Sequence, residues 1–280
     1  VQYCLEWGAA AIGHFGYASE FYKIADDHRH RLIEVILDEV RGRVPVFIGV
    51  TAPSIRMAVR YAKEAESLGA DLVMAALPYV NVPDEQGAIE YYAALSDAVS
   101  VPIIIQDTPE TASVLRPELV CRIYEELEQI QYVKAEGKDF FAKTAAIMDL
   151  TSGKLPIIGG AAGKHMLHML RLGVTAFMTG TEALDIHGAV VNAYLQGDEE
   201  GAARFYFERL LPYLMFYMDH SEELLKKMLH LRNVIDCPKV IPPAASPPMS
   251  EVEWGELTWV LDRTGWKKDW HNRPNPNVSV

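Results

Sequence analysis

The chain has 280 residues, of which 50% are hydrophobic and 23% charged, with a formal net charge of −12. This much apolar material supports one large core, whereas the acidic balance without a basic stripe argues against nucleic-acid binding. No apolar run reaches the about 18 residues of a membrane span, and no signal peptide is recognisable, so we expect a cytoplasmic protein with no membrane partner.

The cysteines and histidines do not form a recognisable metal site. Cys4, Cys121 and Cys237 are odd in number and widely spaced, which is typical of a reduced protein rather than a disulfide framework. His165 and His168 share a predicted helical face, but no carboxylate or cysteine completes a familiar ligand set. We therefore predict no bound metal.

Short apolar runs alternate with long amphipathic stretches along most of the chain. Near-continuous apolar strands separated by helices predict a parallel sheet that is covered on both faces. The seven predicted strands are residues 9–12, 44–48, 71–75, 101–105, 131–133, 155–158 and 174–178.

The repeated strand–helix unit predicts a (β/α)8 TIM barrel over residues 1–188. Such a barrel has eight strands, and residues 1–7 read as a helix that runs into the first predicted strand, so we expect a further strand upstream of Val1. An open doubly wound sheet is the alternative, although such sheets rarely contain this many uniform units.

The character of the sequence changes after Ala189. Residues 189–236 read as wholly helical, prolines then interrupt the pattern, and a last helix is predicted near residues 250–262. We therefore predict a C-terminal helical extension over residues 189–265 and an extended polar tail over residues 266–280. A helical appendage of this kind commonly forms a subunit contact, so we expect an oligomer.

Lys134 is the main catalytic candidate, because it ends an apolar strand where an active site of this fold would lie. Burial would favour the neutral amine that attacks a ketone; the alternative is a solvated lysine at the rim. Glu136 shares the face of Lys134, since strand side chains two apart point the same way. It is a candidate base, or alternatively one half of a salt bridge that merely fills the mouth of the barrel.

The remaining candidates lie at the ends of other predicted strands. Gln106 is in phase with Ile104 and offers an amide to a substrate hydroxyl, whereas Asp107 is expected to start the loop as a turn residue. The predicted substrate-binding residues are Tyr17, Ala18, Ser19, Tyr79, Gln106, Gly159, Gly160 and Thr179.

Several segments in this order resemble the dihydrodipicolinate synthase and N-acetylneuraminate lyase superfamily of Schiff-base lyases. The resemblance covers nearly the whole chain and implies that Lys134 is the lysine that forms the Schiff base. It rests on Gly-Arg-Val-Pro-Val at 42–46, Glu-Ser-Leu-Gly-Ala-Asp at 66–71, Pro-Tyr at 78–79, Val-Pro-Ile-Ile-Ile at 101–105, Tyr-Val-Lys at 132–134 and Leu-Gly-Val-Thr-Ala at 172–176.

Departures from the synthase pattern exclude the namesake reaction. The family's two threonines correspond to Tyr17 and Ala18, and its strand-five tyrosine corresponds to Gln106. The arginine that holds the carboxylate of the family's second substrate falls near Thr111. The features that remain resemble the L-2-keto-3-deoxyarabonate dehydratase branch, notably Gln106-Asp107 and Lys134-x-Glu136.

The resemblance implies a reaction, a substrate class and an assembly. A small 2-oxo acid condenses with Lys134, and Glu136 removes the C3 proton and assists loss of the C4 hydroxyl, so no metal or organic cofactor is expected. A pyruvate-dependent aldolase and a non-catalytic oxo-acid-binding barrel are the alternatives. Relatives of this kind imply a homotetramer.

Overall fold

The computed structural model describes residues 1–109, 111, 113–137, 139–244 and 247–266. The chain divides into two compact units, one formed by Val1–Ala10, Ala162–Leu170 and Thr179–Val280 and the other by Ala11–Ala161 and Arg171–Met178. We call them the helical unit and the sheet unit. The boundaries at residues 188 and 265 inferred from the sequence stay a prediction, and residues 267–280 of the predicted tail lie outside the described residues.

The sheet unit contains one parallel sheet of seven strands, which lie in the order in which they occur along the chain. The strands are β1 (Ile12–His14), β2 (Val46–Gly49), β3 (Leu72–Ala75), β4 (Ile103–Asp107), β5 (Ile130–Ala135), β6 (Ile157–Gly159) and β7 (Ala176–Phe177). The predicted seven-stranded parallel sheet is therefore confirmed.

The first strand lies further along the chain than predicted. Residues 9–11 precede the strand, which begins at Ile12 through a hydrogen bond from its amide to the Pro45 carbonyl. The apolar run 9–12 consists mainly of alanines, which have low strand propensity. The prediction for residues 9–12 was wrong except at its last residue.

The described residues form eleven α-helices. They are α1 (Gln2–Glu6), α2 (Asp26–Val40), α3 (Ile55–Leu68), α4 (Glu85–Ser96), α5 (Pro117–Glu126), α6 (Phe140–Leu150), α7 (Met166–Arg171), α8 (Leu184–Leu195), α9 (Glu199–Phe205), α10 (Leu211–Leu231) and α11 (Glu251–Arg263).

Capping side chains define where several helices begin. Ser54 accepts a hydrogen bond from the Met57 amide at the start of α3, and Asp84 accepts one from the Gly87 amide at the start of α4. Helix α3 ends at Gly69, whose φ of +105° is accessible mainly to glycine. Ser54 and Asp84 satisfy amide groups at helix starts, and the Gly69 amide donates to carbonyls at the end of α3, groups that a helix end leaves without intrahelical partners.

Register determines which side chains share a face of the sheet. Gln106 of β4 pairs with Lys134 of β5, and Lys134 pairs with Ile158 of β6. Side chains at paired positions point to the same side, and their chain neighbours point to the opposite side. Gln106 and Lys134 therefore share a face, and Asp107 lies on the other.

The helical unit departs from the prediction of one continuous helical region over residues 189–236. Helix α8 ends before a turn in which Gly197 adopts a φ of +83°, and Asp198 caps the start of α9. A π-helical turn at Tyr206–Leu210 separates α9 from α10, which ends at Leu231. Gly197 and Asp198 interrupt the helix here, although the apolar residues on either side suggest that it continues.

A fully buried carboxyl group lies in the core of the helical unit. Glu182 has no exposed surface and accepts a hydrogen bond from the Tyr213 hydroxyl at 3.2 Å. Burial raises the pKa of Glu182 to about 7, against the lowering effects of its own backbone and of Tyr213. Near neutral pH this side chain is therefore partly protonated.

The substitution Glu182→Gln is expected to make the protein less sensitive to rising pH. In the unfolded chain the Glu182 carboxyl ionises near its ordinary pKa of 4.5, whereas in the folded chain it ionises near 7. The stability that protonated Glu182 provides is present below pH 4.5 and is lost as pH rises to 7, a loss of at most about 3 kcal/mol.

Urea unfolding of the wild type and of E182Q between pH 4.5 and 8 measures this effect. The difference in unfolding free energy is expected to shift in favour of E182Q as pH rises and to level off above pH 7. A difference that does not change with pH would contradict the assignment.

Candidate active site

Lys134 lies within the sheet rather than at its solvated rim. It is the penultimate residue of β5, between the buried residues Val133 and Ala135, and 10% of its side chain is exposed. The interpretation of Lys134 as a solvated rim residue is therefore wrong. The register places its side chain on the same face as Gln106.

Glu136 follows β5 directly and bonds to three groups. Its Oε2 lies 2.9 Å from Lys134 Nζ and accepts a hydrogen bond from Gln106 Nε2 at 2.8 Å. Its Oε1 accepts a hydrogen bond from the Ala161 amide at 3.0 Å. The carboxylate is thus held through both oxygens, in contact with the amine.

The surroundings of Glu136 favour its ionised form. Burial raises the pKa of the carboxyl, but Lys134, the Ala161 amide and Gln106 together outweigh it, so that the pKa lies below its ordinary value of 4.5. Hydrogen bonds and a nearby cation stabilise a carboxylate in this way. At neutral pH Glu136 is an anion that can accept a proton.

The chain after β6 is shaped to fit the Glu136 side chain. A Cβ atom at Gly160 would lie 2.2 Å from Glu136 Cγ and 2.7 Å from its Oε1, so no larger residue fits without displacing the carboxylate. The next residue, Ala161, has a φ of +50° and directs its amide at Oε1. Gly159 is also buried, and a Cβ there would meet the ring of Phe177.

Tyr17, Ala18 and Ser19 form a single 3-10 turn after β1. Tyr17 and Ser19 are partly buried and Ala18 is exposed. The turn is closed by a hydrogen bond from the Ser19 amide to the Gly16 carbonyl at 3.0 Å. The predicted contact between this turn and a substrate carboxylate stays a prediction.

Tyr79 lies in an aromatic cluster beside that turn. Its ring packs on Phe21, which in turn packs on Tyr17. Tyr79 lines a cavity of about 170 Å³ whose wall also includes Arg29 but none of the three residues Lys134, Glu136 and Gln106. The structure therefore places Tyr79 against this cavity, and its predicted contact with substrate stays a prediction.

Thr179 belongs to the helical unit, whereas the other predicted site residues belong to the sheet unit. Its hydroxyl lies 3.0 Å from Nδ1 of His187, and Nε2 of His187 lies 3.1 Å from the Ala162 carbonyl oxygen. Burial lowers the pKa of His187 to about 4, so the ring is neutral at neutral pH. Within its own unit, Thr179 therefore hydrogen-bonds a neutral imidazole.

The expectation that Asp107 starts a loop as a turn residue was wrong. Asp107 is the last residue of β4, has 1% of its surface exposed, and lies 2.6 Å from Nζ of Lys143 on α6. Sequence reasoning missed Lys143, because a lysine within an amphipathic helix normally marks the solvent face. It also missed Ala161, which acts through its backbone and has no side-chain signal.

Among the described residues, no group of three or more histidine, cysteine, aspartate or glutamate side chains is arranged to hold a metal ion. The same part of the chain has no helix with the length and hydrophobicity needed to cross a bilayer.

A family model for the dihydrodipicolinate synthetase family matches residues 1–257. The chain belongs to this family. Two relatives show the range of activities in it. The L-2-keto-3-deoxyarabonate dehydratase of Azospirillum brasilense is 31% identical over 209 residues, which cover 72% of this chain and 67% of that enzyme. The 4-hydroxy-tetrahydrodipicolinate synthase of Methanopyrus kandleri is 31% identical over 225 residues, which cover 76% of this chain and 71% of that enzyme.

Solved structures of dihydrodipicolinate synthetase family members share the fold. The 4-hydroxy-tetrahydrodipicolinate synthase of Methylacidiphilum fumariolicum superposes with a TM-score of 0.86 at 22% identity, covering 95% of this chain and 88% of that one. The E. coli K12 protein YagE, solved in complex with pyruvate, superposes with a TM-score of 0.85 at 22% identity, covering 93% of this chain and 89% of that one. The predicted family resemblance is confirmed.

The substitution Gly160→Ala is expected to destabilise the protein through Glu136. The new methyl group would overlap the carboxylate, and overpacking of this kind typically costs about 1–3 kcal/mol. When Glu136 is first replaced by alanine, the overlap disappears, so the same change should cost less than about 0.5 kcal/mol.

Urea unfolding of the four proteins of this double-mutant cycle gives the coupling energy. As a matched control, Gly255→Ala adds a methyl group on helix α11 where no other atom lies within 4 Å. An equal cost of Gly160→Ala in both backgrounds would mean that Gly160 does not position Glu136.

Proposed function

We propose that this protein is a Schiff-base lyase that acts on a small 2-oxo acid through Lys134, and that it dehydrates a 2-keto-3-deoxy sugar acid. The main support for the proposal is that Lys134 Nζ lies 2.9 Å from Glu136 Oε2. Both oxygens of that carboxylate also accept hydrogen bonds, from Gln106 and from the Ala161 amide. In this proposal Lys134 is the nucleophile and Glu136 is the base.

The first step joins the substrate to the enzyme. Glu136 accepts a proton from the Lys134 ammonium, and the neutral amine attacks the C2 ketone. The carbinolamine that forms loses its hydroxyl as water with the proton from Glu136, which leaves an iminium between Nζ and C2 and returns Glu136 to the carboxylate form. The positive iminium withdraws electrons from C3 and so makes the C3 protons acidic.

The second step removes water from the sugar acid. Glu136 takes a proton from C3, and the electron pair released expels the C4 hydroxyl, which leaves as water with a proton from Glu136. The product is an unsaturated iminium, and its hydrolysis by water releases the dehydrated oxo acid and regenerates Lys134. The lysine supplies the covalent chemistry, so the proposal requires no metal or organic cofactor.

Other residues would hold the substrate. In this proposal the turn of Tyr17, Ala18 and Ser19 binds the carboxylate through backbone amides and the Ser19 hydroxyl. Gln106 both orients Glu136 and offers its amide to a substrate hydroxyl. Tyr79, Gly159, Gly160 and Thr179 complete the proposed set of substrate-binding residues.

Dehydration is favoured over aldol cleavage by the residues at two positions. A retro-aldol cleavage needs a group that removes the proton of the C4 hydroxyl, and the family tyrosine that serves this purpose corresponds to Gln106, whose amide is a poor base. Glu136 can serve both proton transfers of a dehydration. The Azospirillum brasilense relative named above is a dehydratase, which supports the same choice.

The proposal includes a fold and an assembly. We propose that the seven consecutive parallel strands are part of a closed (β/α)8 barrel with a C-terminal helical extension, which the TM-scores above support. The homotetramer and the cytoplasmic location inferred from the sequence stay predictions.

Borohydride trapping tests the covalent step. Reduction in the presence of pyruvate or a 2-keto-3-deoxy acid is expected to leave a stable adduct on Lys134, identified by peptide mass spectrometry, because borohydride reduces an iminium to an amine. The variant Lys134→Ala serves as the control and should carry no adduct. A wild-type protein without an adduct would contradict the Schiff-base proposal.

Product analysis then separates the candidate reactions. A dehydratase releases a dehydrated oxo acid, an aldolase releases pyruvate and an aldehyde, and a binding protein releases neither although the adduct forms. We expect the first outcome.

The substitution Glu136→Gln is expected to separate adduct formation from turnover. The glutamine keeps the shape of the side chain but cannot accept the C3 proton, so the dehydration rate should fall by about 10²–10⁴-fold, the usual contribution of a general base. The Lys134 adduct with pyruvate should still form, although more slowly, because water can take the proton of the Lys134 ammonium in place of Glu136. An E136Q variant that dehydrates at the wild-type rate would remove Glu136 from the mechanism.

A further inference from the structure

A second buried ion pair lies behind the one that contains Lys134. Asp107 at the end of β4 and Lys143 on α6 have 1% and 7% of their side chains exposed, and Lys143 Nζ lies 2.6 Å from Asp107 Oδ2. Because Gln106 faces Lys134, its neighbour Asp107 points to the opposite side of the sheet. The Lys134–Glu136 pair therefore lies on one face of the sheet at β4 and β5, and the Asp107–Lys143 pair lies on the other face.

The backbone joins the two pairs directly. The carbonyl of Asp107 accepts a hydrogen bond from the Glu136 amide at 3.0 Å. The residue before Asp107 is Gln106, whose side chain donates to Glu136 Oε2 at 2.8 Å. Asp107 thus contacts α6 through its side chain and the base of the proposed reaction through its main chain.

Helix α6 is also continuous with the loop that carries Glu136. It begins at Phe140, four residues after Glu136, and the preceding residue, Asp139, has a φ of +55°. The Lys143–Asp107 contact therefore joins α6 to the end of β4, where the Asp107 carbonyl accepts the hydrogen bond from the Glu136 amide.

Stability alone is a weak reason for such a pair. Burial raises the pKa of Asp107 despite the opposing effect of Lys143, and no hydrogen-bond donor among the described residues contacts its Oδ1. Apolar residues of similar size commonly replace a buried ion pair with no loss of stability. What the pair adds is an attraction between a charge on β4 and a charge on α6, which apolar residues lack.

We propose that Asp107 and Lys143 are a positioning pair, which holds the end of β4 against α6 and thereby keeps the Glu136 carboxylate on the amine of Lys134. The pair touches neither of the reacting groups through its own side chains. Its kinetic consequences rest on the proposed function, whereas its effect on the Lys134–Glu136 contact does not.

Chemical labelling measures that contact without any substrate. In a brief pulse of acetic anhydride, the Lys134 amine attacks the reagent and acetate leaves, and mass spectrometry gives the ratio of acetylation at Lys134 to that at Lys63, which is exposed on α3. Pairing with Glu136 protects the amine. The double variant Asp107→Asn/Lys143→Met is expected to raise the ratio severalfold while thermal unfolding stays cooperative.

Two further variants calibrate the result. Glu136→Gln removes the partner of Lys134 and sets the largest ratio that loss of the contact can produce. Lys143→Arg keeps a cation opposite Asp107 and is expected to restore the wild-type ratio, whereas Lys143→Gln is not. If the double variant does not fold, the comparison of Lys143→Arg with Lys143→Gln tests the positioning pair in its place.

Kinetics provide a second readout if the proposed reaction is observed. A positioning role predicts a lower kcat with little change in KM for D107N/K143M. An unchanged labelling ratio in a folded D107N/K143M protein would overturn the proposal, whether or not the wild type forms a Schiff base. If the wild type forms no Schiff base, the proposed function fails, but the labelling ratio still tests the positioning pair because it needs no substrate.

Discussion

The contact between Lys134 Nζ and Glu136 Oε2 is the interaction on which the site depends. Two charged groups with 10% and 16% of their side chains exposed lose much of their hydration, and their attraction offsets that loss only when further hydrogen bonds complete the arrangement. Gln106 and the Ala161 amide provide those bonds. The absence of a side chain at Gly160 provides the space. Three separate segments therefore hold one carboxylate: the end of β4, the end of β5 and the chain after β6.

Backbone conformations that are unfavourable for ordinary residues occur both beside the turn after β1 and beside Glu136. Phe15 and Glu20 flank the turn after β1 with φ values of 62° and 53°, and Asp139 and Ala161 have values of 55° and 50°. Such residues cost of order 1–3 kcal/mol each and persist where the surrounding structure over-determines them. Their position beside the predicted loop and beside Glu136 is consistent with a pre-organised site.

Sequence patterns predicted the part of this structure that depends on periodicity and on single charged residues in apolar strands. The seven parallel strands follow from apolar runs separated by helices, and the shared face of Lys134 and Glu136 follows from the two-residue period of a strand. Asp107 was misassigned because β4 continues past its apolar run, so that a charged residue at the end looked like a turn. The contributions of Lys143 and Ala161 depend on tertiary contacts and on a backbone amide, which no local pattern of side chains reports.

A crystal structure of the protein soaked in pyruvate shows directly whether Lys134 forms a Schiff base beside Glu136. We expect continuous density between Lys134 Nζ and C2 of pyruvate, with the Glu136 carboxylate within hydrogen-bonding reach of the modified lysine. Pyruvate bound apart from an unmodified Lys134, or a Lys134 side chain that points to solvent, would contradict it.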